Sequence, residues 1–200
     1  MTGIREAKKA ATRAALARCS AELAYERGVE GMTVAAITEA AGVSQRTFHN
    51  YFDSRDHALL SFIESSMEQV GVRLAALAVD SDPLTAVEQL ITEEVASSVA
   101  GVDSFFALDR LIRALLSTGP PEHGEHQLAV LRDAVDRILT DYLGLTEFED
   151  IVAVQATLHS GFVALVYHEV ETRHGREVDD PLTLLQRAFA VVRGSVDGVH

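Results

Sequence analysis

Residues 33–60 read TVAAITEAAGVSQRTFHNYFDSRDHALL, and this stretch decides the fold. Thr33 stands where a helix N-cap belongs, with Val34 and Ile37 spaced to face a core. Ala41, Gly42 and Val43 make a tight break of small residues, after which Ser44 caps another short helix ending near Phe52. Two short helices joined by such a turn form a helix-turn-helix. With Phe48 at the centre of the inward face, ~100° per residue puts Phe52, Ser44 and Tyr51 within about 60° of it. Arg46 and Asn50 then point directly away, with Gln45 and His49 on one flank and Thr47 and Tyr51 on the other. The outward surface is long, polar and rich in groups that hydrogen-bond to base edges in a major groove.

Outward from this run, amphipathic spacing and punctuation predict an all-α chain of about nine helices. The first runs from about Glu6 to Arg27, with Leu16, Cys19, Leu23 and Ala24 on one face and Gly28 as its stop. Asp53 and Ser54 cap a fourth helix reaching about Leu77. Asp82 caps a fifth over about 83–100, with Pro83 at its first position. Asp103 is expected to cap a sixth to about Ser117, and Gly119, Pro120 and Pro121 break the chain before a seventh from about Glu122 to Tyr142. Thr146 and Glu149 have capping-box spacing ahead of an eighth helix to about Arg173. Asp180 and Pro181 open a ninth to about Val196. The recurring Asp-Pro-Leu-Thr is a helix-start device, since nothing else repeats at that period. The domain division expected is 1–53 for the helix-turn-helix and 54–200 for effector binding and dimerisation.

The chain of 200 residues, 48% hydrophobic and 24% charged, has the composition of a globular protein with a substantial core. Its single cysteine, Cys19, makes no intramolecular disulfide and suits a reducing cytosol. Neither a signal-peptide pattern nor a run near the ~18 apolar residues of a membrane span is read, so a cytoplasmic protein without a membrane partner is expected. The net charge of −13 argues at first against a nucleic-acid partner. Its distribution reverses that: residues 1–57 hold 8 Lys and Arg against 7 Asp and Glu, residues 58–200 hold 9 against 23, and both lysines, Lys8 and Lys9, are in the first part. A near-neutral head with a basic start binds phosphate if the acidic body is held away.

The quoted run resembles, position by position, the DNA-binding signature of the tetracycline-repressor (TetR) family over roughly residues 10–60, while the remainder resembles it in helical layout alone. The resemblance implies a one-component regulator: a homodimer on a palindromic double-stranded operator, released by a small-molecule effector, with repression the family majority and activation the alternative. It implies phosphate contacts from Thr33, Ser44, Thr47, Tyr51 and Arg55, and base reading by Gln45, Arg46, His49 and Asn50. Lys8, Lys9 and Arg13 offer a basic arm. Arg46 stands where many members have Gly, His49 where they have an aromatic, and Arg55 where Lys is usual.

In the body, residues 151–167 are apolar nearly all round the helix, so two sides of it must be buried. Helix nine has the same character. Similar proteins dimerise through their last two helices, which places Leu185, Ala188, Phe189 and Val192 at the expected interface. Sensor pockets in the family lie among helices four to eight, where Phe62, Met67, Phe105, Phe106, Leu116, Gln155 and His159 are the candidate lining. An acidic, apolar-lined domain suits an apolar or cationic effector better than a dianion. Asp109 and Arg113, four apart, read as a surface ion pair. No cofactor and no metal site is expected. The competing reading is a helical-bundle metal enzyme, for which there is one Glu-x-x-His spacing, Glu171 to His174, and a His123/His126 pair in a Gly/Pro loop.

Overall fold

The computed structural model describes residues 2–97, 101–117 and 121–197. Among these there are nine α-helices and no strand: α1 (Thr2–Gly31), α2 (Val34–Ala40), α3 (Gln45–His49), α4 (Arg55–Leu77), α5 (Pro83–Ser97), α6 (Phe105–Leu116), α7 (Pro121–Arg137), α8 (Phe148–Arg173) and α9 (Pro181–Asp197), with a π-helical turn at Ile138–Tyr142. Gly28 does stop α1: its φ of 74° and ψ of 167° interrupt the helix, and only a short turn to Gly31 follows. The helices group into two compact units, residues 1–68 with 100–134 and residues 69–99 with 135–200. The helix-turn-helix thus belongs to a unit that also takes in α6 and most of α7.

In the first unit, Leu16, Met32, Ile37, Phe48, Phe52, Leu59, Ile63, Leu111 and Leu115 form a core closed to solvent. Two cation contacts fasten α1 to the α6 segment. Arg18 donates to both carboxylate oxygens of Asp103, at 2.8 and 2.6 Å, and the Arg110 guanidinium lies 4.8 Å over the Tyr25 ring. Asp103 is therefore not the cap of α6. That role falls to Ser104, whose Oγ accepts from Ala107 N at 3.0 Å. Cys19 is half-buried, and burial pushes its thiol up, away from the reactive thiolate. Asp109 and Arg113 do pair along α6.

In the second unit α5, α8 and α9 pack together. Gly161 of α8 is the close-approach point, because a Cβ there would sit 3.0 Å from Ile91 and 3.2 Å from Phe189. Glu94 is buried on α5 and bonded to Arg73 of α4. Gly71 performs a similar service for the π turn, since a Cβ would fall 2.6 Å from the Tyr142 ring. The π turn ends on Leu143 N donating to Ile138 O at 3.1 Å, and Gly144 follows with φ 66°. The expected seventh helix is thus α-helical only to Arg137. The capping box at α8 does not form: Glu147 occupies the cap position without a side-chain bond, and Thr146 Oγ1 turns toward Glu147 instead. By composition α8 does reach the level of a membrane span, with a mean hydropathy of 1.3 over 18 residues.

The Asp-Pro starts behave as read. Asp82 accepts from Thr85 N at 3.0 Å and from Thr85 Oγ1 at 2.6 Å; Asp180 accepts from Thr183 N at 3.1 Å and Oγ1 at 2.6 Å. The threonine hydroxyls hold both carboxyls below the ordinary value, as the Arg18 guanidinium does for Asp103. A carboxylate whose pKa is depressed on folding contributes stability above its unfolded value and loses it as the pH falls through the folded one. Urea unfolding should accordingly show stability lost between about pH 4 and pH 2. The variant D82A/D103A should lose less over that range than the parent, and an equal loss would remove these carboxylates from the acid limb.

Candidate nucleic-acid interface

Each short helix of the motif starts on a hydroxyl. Thr33 Oγ1 accepts from Ala36 N at 3.1 Å, and Ser44 Oγ accepts from Thr47 N at 3.1 Å while sharing a second bond with Thr47 Oγ1 at 2.9 Å. A capping hydroxyl spends a lone pair, so the Thr33 O–H, and one O–H of the Ser44 and Thr47 pair, remain able to donate to a phosphate. At φ 65° Gly42 occupies the left-handed region that the turn between α2 and α3 requires. The last turn after α3 tightens, with Asn50 N donating to Thr47 O and Tyr51 N to Phe48 O. α3 therefore ends at His49, three residues earlier than the sequence pattern suggests.

Phe48 and Phe52 are sealed from solvent and lie 5.8 Å apart between ring centroids. Their burial turns Gln45, Arg46, His49 and Asn50 to the outside, while Thr47 and Tyr51 sit half-buried at the flank and Ser44 and Thr33 are exposed at the helix starts. Eight of the nine proposed DNA contacts are in this way brought to two adjacent helix starts and one helix face. Ser44, expected on the inward side, is exposed.

Two arginines have roles that sequence reasoning did not assign. Arg13 is not part of a free arm: it donates to Tyr51 O at 2.9 Å and Ser61 Oγ at 3.2 Å, and its guanidinium lies 4.4 Å over the Phe52 ring. It ties α1 to the end of the recognition segment and to α4. Arg55 donates to Val29 O at 3.0 Å, which also accepts from Met32 N at 3.2 Å, and to Met32 O at 3.4 Å, in the segment that follows the Gly28 break. This is a structural use of a residue expected to hold phosphate. Lys8 and Lys9 are exposed on α1, which is helical there.

The candidate lining residues of the body divide between the two units. Phe62 and Met67 are buried on α4, and Phe106 and Leu116 are half-buried on α6, all in the first unit. The Phe105 side chain lies outside the described residues, as do Gly119 and Pro120 of the expected Gly/Pro break and the His123 side chain. Gln155 and His159 are exposed on α8, in the second unit. They lie in a stripe with Val152, Val163, Val166 and Val170, all exposed apolar residues three or four apart. Of the expected interface residues, Leu185 and Phe189 face the subunit's own core, while Ala188 and Val192 are half-exposed. Tyr167 and Val191, not among the residues expected at the interface, are large apolar groups on show, at 52% and 70% exposure. With Val163 they border a groove of about 650 Å³ between α8 and α9. Glu171 is held by Arg176 at 2.9 Å and His174 Nδ1 lies 2.7 Å from Val170 O, which leaves the Glu-x-x-His pair in local contacts.

Residues 18–61 match the family model described as bacterial regulatory proteins, tetR family. Among curated proteins none matches the sequence. Solved structures match over nearly the whole chain. A transcriptional regulator from Rhodococcus sp. Rha1 is 16% identical with a TM-score of 0.63, covering 92% of this chain and 95% of that one. SmeT, the repressor of the Stenotrophomonas maltophilia multidrug efflux pump SmeDEF, is 15% identical at TM-score 0.58, covering 92% and 89%. The transcriptional regulator FadR from Bacillus subtilis, in complex with stearoyl-CoA, is 18% identical at TM-score 0.59, covering 93% and 98%. Residues 18–61 thus carry the helix-turn-helix of the bacterial regulatory proteins of the tetR family, and the chain shares the fold of these solved regulators over nearly its whole length.

Proposed function

We propose that the chain is a cytoplasmic transcriptional repressor, not an enzyme, that binds a near-palindromic operator as a homodimer and is released by a small molecule. The observation that carries this reading is the face of α3: Gln45, Arg46, His49 and Asn50 all exposed over a sealed Phe48. Functionally the chain divides at 53/54, with residues 1–53 presenting that face and residues 54–200 supplying effector binding and self-association. A second copy covers the apolar stripe of α8 and Val191 of α9, and Gln155 and His159 then belong to that surface rather than to a pocket. SmeT has been solved with triclosan and the Bacillus subtilis FadR with stearoyl-CoA, both ligands with large apolar parts. An apolar effector on the Phe62, Met67, Phe106 and Leu116 side chains fits the same chemistry.

DNA selected by the purified protein should contain an inverted repeat with half-site centres about 34 Å apart or a multiple of it, because two-fold symmetry presents two identical recognition helices; asymmetric sites overturn the dimeric mode. Arg46→Ala should cost about 1–3 kcal/mol on that operator and blur selectivity at one or two positions per half-site. Its thermal midpoint should stay at the parent's value. Arg55→Ala should lower the midpoint as well, since it removes both bonds that tie α4 to the segment after Gly28, and should weaken binding to every sequence alike. Identical profiles for the two variants would refute the division of roles.

Tyr167→Asp or Val191→Asp should place an unpaired charge in the interface at a cost of several kcal/mol and halve the sedimentation mass with the helical spectrum intact. Phe189→Asp is expected to unfold the subunit instead, because that ring packs on Gly161. A dimer that survives both surface variants would move the interface elsewhere.

A further inference from the structure

A cleft of about 450 Å³ lies in the first unit where the start of α4 meets the first half of α7, lined by Asp53, Asp56, His57, Leu60, His126 and Gln127. Its acceptors are in excess of its donors. Gln127 is 6% exposed, and its Oε1 is shut off from solvent with no hydrogen-bond partner among the described residues. Asp56 Oδ1 is in the same condition; Arg55 Nε stands 3.7 Å from it, beyond hydrogen-bonding distance. An orphaned buried acceptor bears its full desolvation cost, and two on one cleft share the same missing complement, an N–H donor. Asp53 adds a second carboxylate, 97% exposed and 3.6 Å from His57 Nδ1. Leu60 supplies an apolar wall. No group of three or more His, Cys, Asp or Glu among the described residues is placed to hold a metal ion.

We propose that this cleft binds a small organic cation with N–H donors, a protonated alkylamine. The ammonium donates to Gln127 Oε1 and Asp56 Oδ1, its charge is balanced by Asp53 and Asp56, and its alkyl part lies along Leu60. Of the two histidines that line the cleft, His57 is 42% exposed and His126 lies on the surface. The site stands independently of the DNA-binding reading. Its location gives it a bearing on that reading, because the His57 ring packs edge-on against Phe52 at 5.4 Å, and Phe52 rests on Phe48 of α3.

The test is a titration of the full chain, with ¹⁵N-labelled histidine, by n-butylammonium chloride. The ring signals of His57 and His126 should shift saturably, with a dissociation constant of about a millimolar for so small a ligand. Tetramethylammonium, which has the charge but no N–H, should leave them in place. Gln127→Leu, which keeps the volume and removes the orphaned oxygen, should hold or raise the thermal midpoint and weaken binding about ten- to a hundred-fold, as loss of a hydrogen bond to a charged group does. Asp53→Asn, on an exposed side chain, should keep the fold and weaken binding severalfold. An unsaturable response, equal binding of tetramethylammonium, or unaltered affinity in folded Gln127→Leu would each overturn the proposal.

Discussion

Phe48 and Phe52 have no access to water, and on a helix of only five residues that is enough to decide where every other side chain points. Polar groups on α3 face outward because the aromatic pair has taken the inward positions, and burying two such rings outweighs any preference of Gln45 or His49 for one orientation. The pair is in turn held from two sides. Phe52 carries the Arg13 guanidinium on its face and the His57 ring against its edge, so α1 and α4 both bear on the recognition segment through one side chain.

What the sequence disclosed depended on the range of the interaction. The caps at Thr33, Ser44, Asp82 and Asp180 are bonds to an amide three residues on, and residue type with a short offset suffices to read them. The buried face of α3 follows from helical periodicity for the same reason. The misreadings involve charged residues whose partners are remote in the chain: Arg13 to Tyr51, Arg55 to Val29, Asp103 to Arg18 across 85 positions. Nothing local distinguishes a guanidinium engaged by a distant carbonyl from one free for phosphate, and Asp103 looks as good a cap as its neighbour Ser104. The body is harder still. An apolar helix such as α8 announces that both sides need cover, but which residues meet the chain's own core depends on where Gly161 lets Ile91 and Phe189 approach.

The charge asymmetry acquires a structural meaning in this setting. Around the recognition segment, Arg13 and Arg55 are engaged internally, leaving Arg46 as the exposed cation of α3. Attraction to the phosphate backbone then rests on few positive charges, supplemented by hydroxyls and the amides at helix starts, in a chain whose remaining residues are strongly acidic.

The Gly28 break has a kinetic side. It redirects the chain after α1, and Arg55 reaches across from the first residue of α4 to hold the carbonyls of Val29 and Met32 in the segment that follows. The end of one helix and the beginning of another are thereby fastened by a single side chain, and neither can fray alone. Amides around Met32 and around Ala58 should open to hydrogen exchange as one cooperative unit, with Arg13 adding the Tyr51 turn to it, so that the recognition segment exchanges at the rate of the unit rather than at the rate of a five-residue helix.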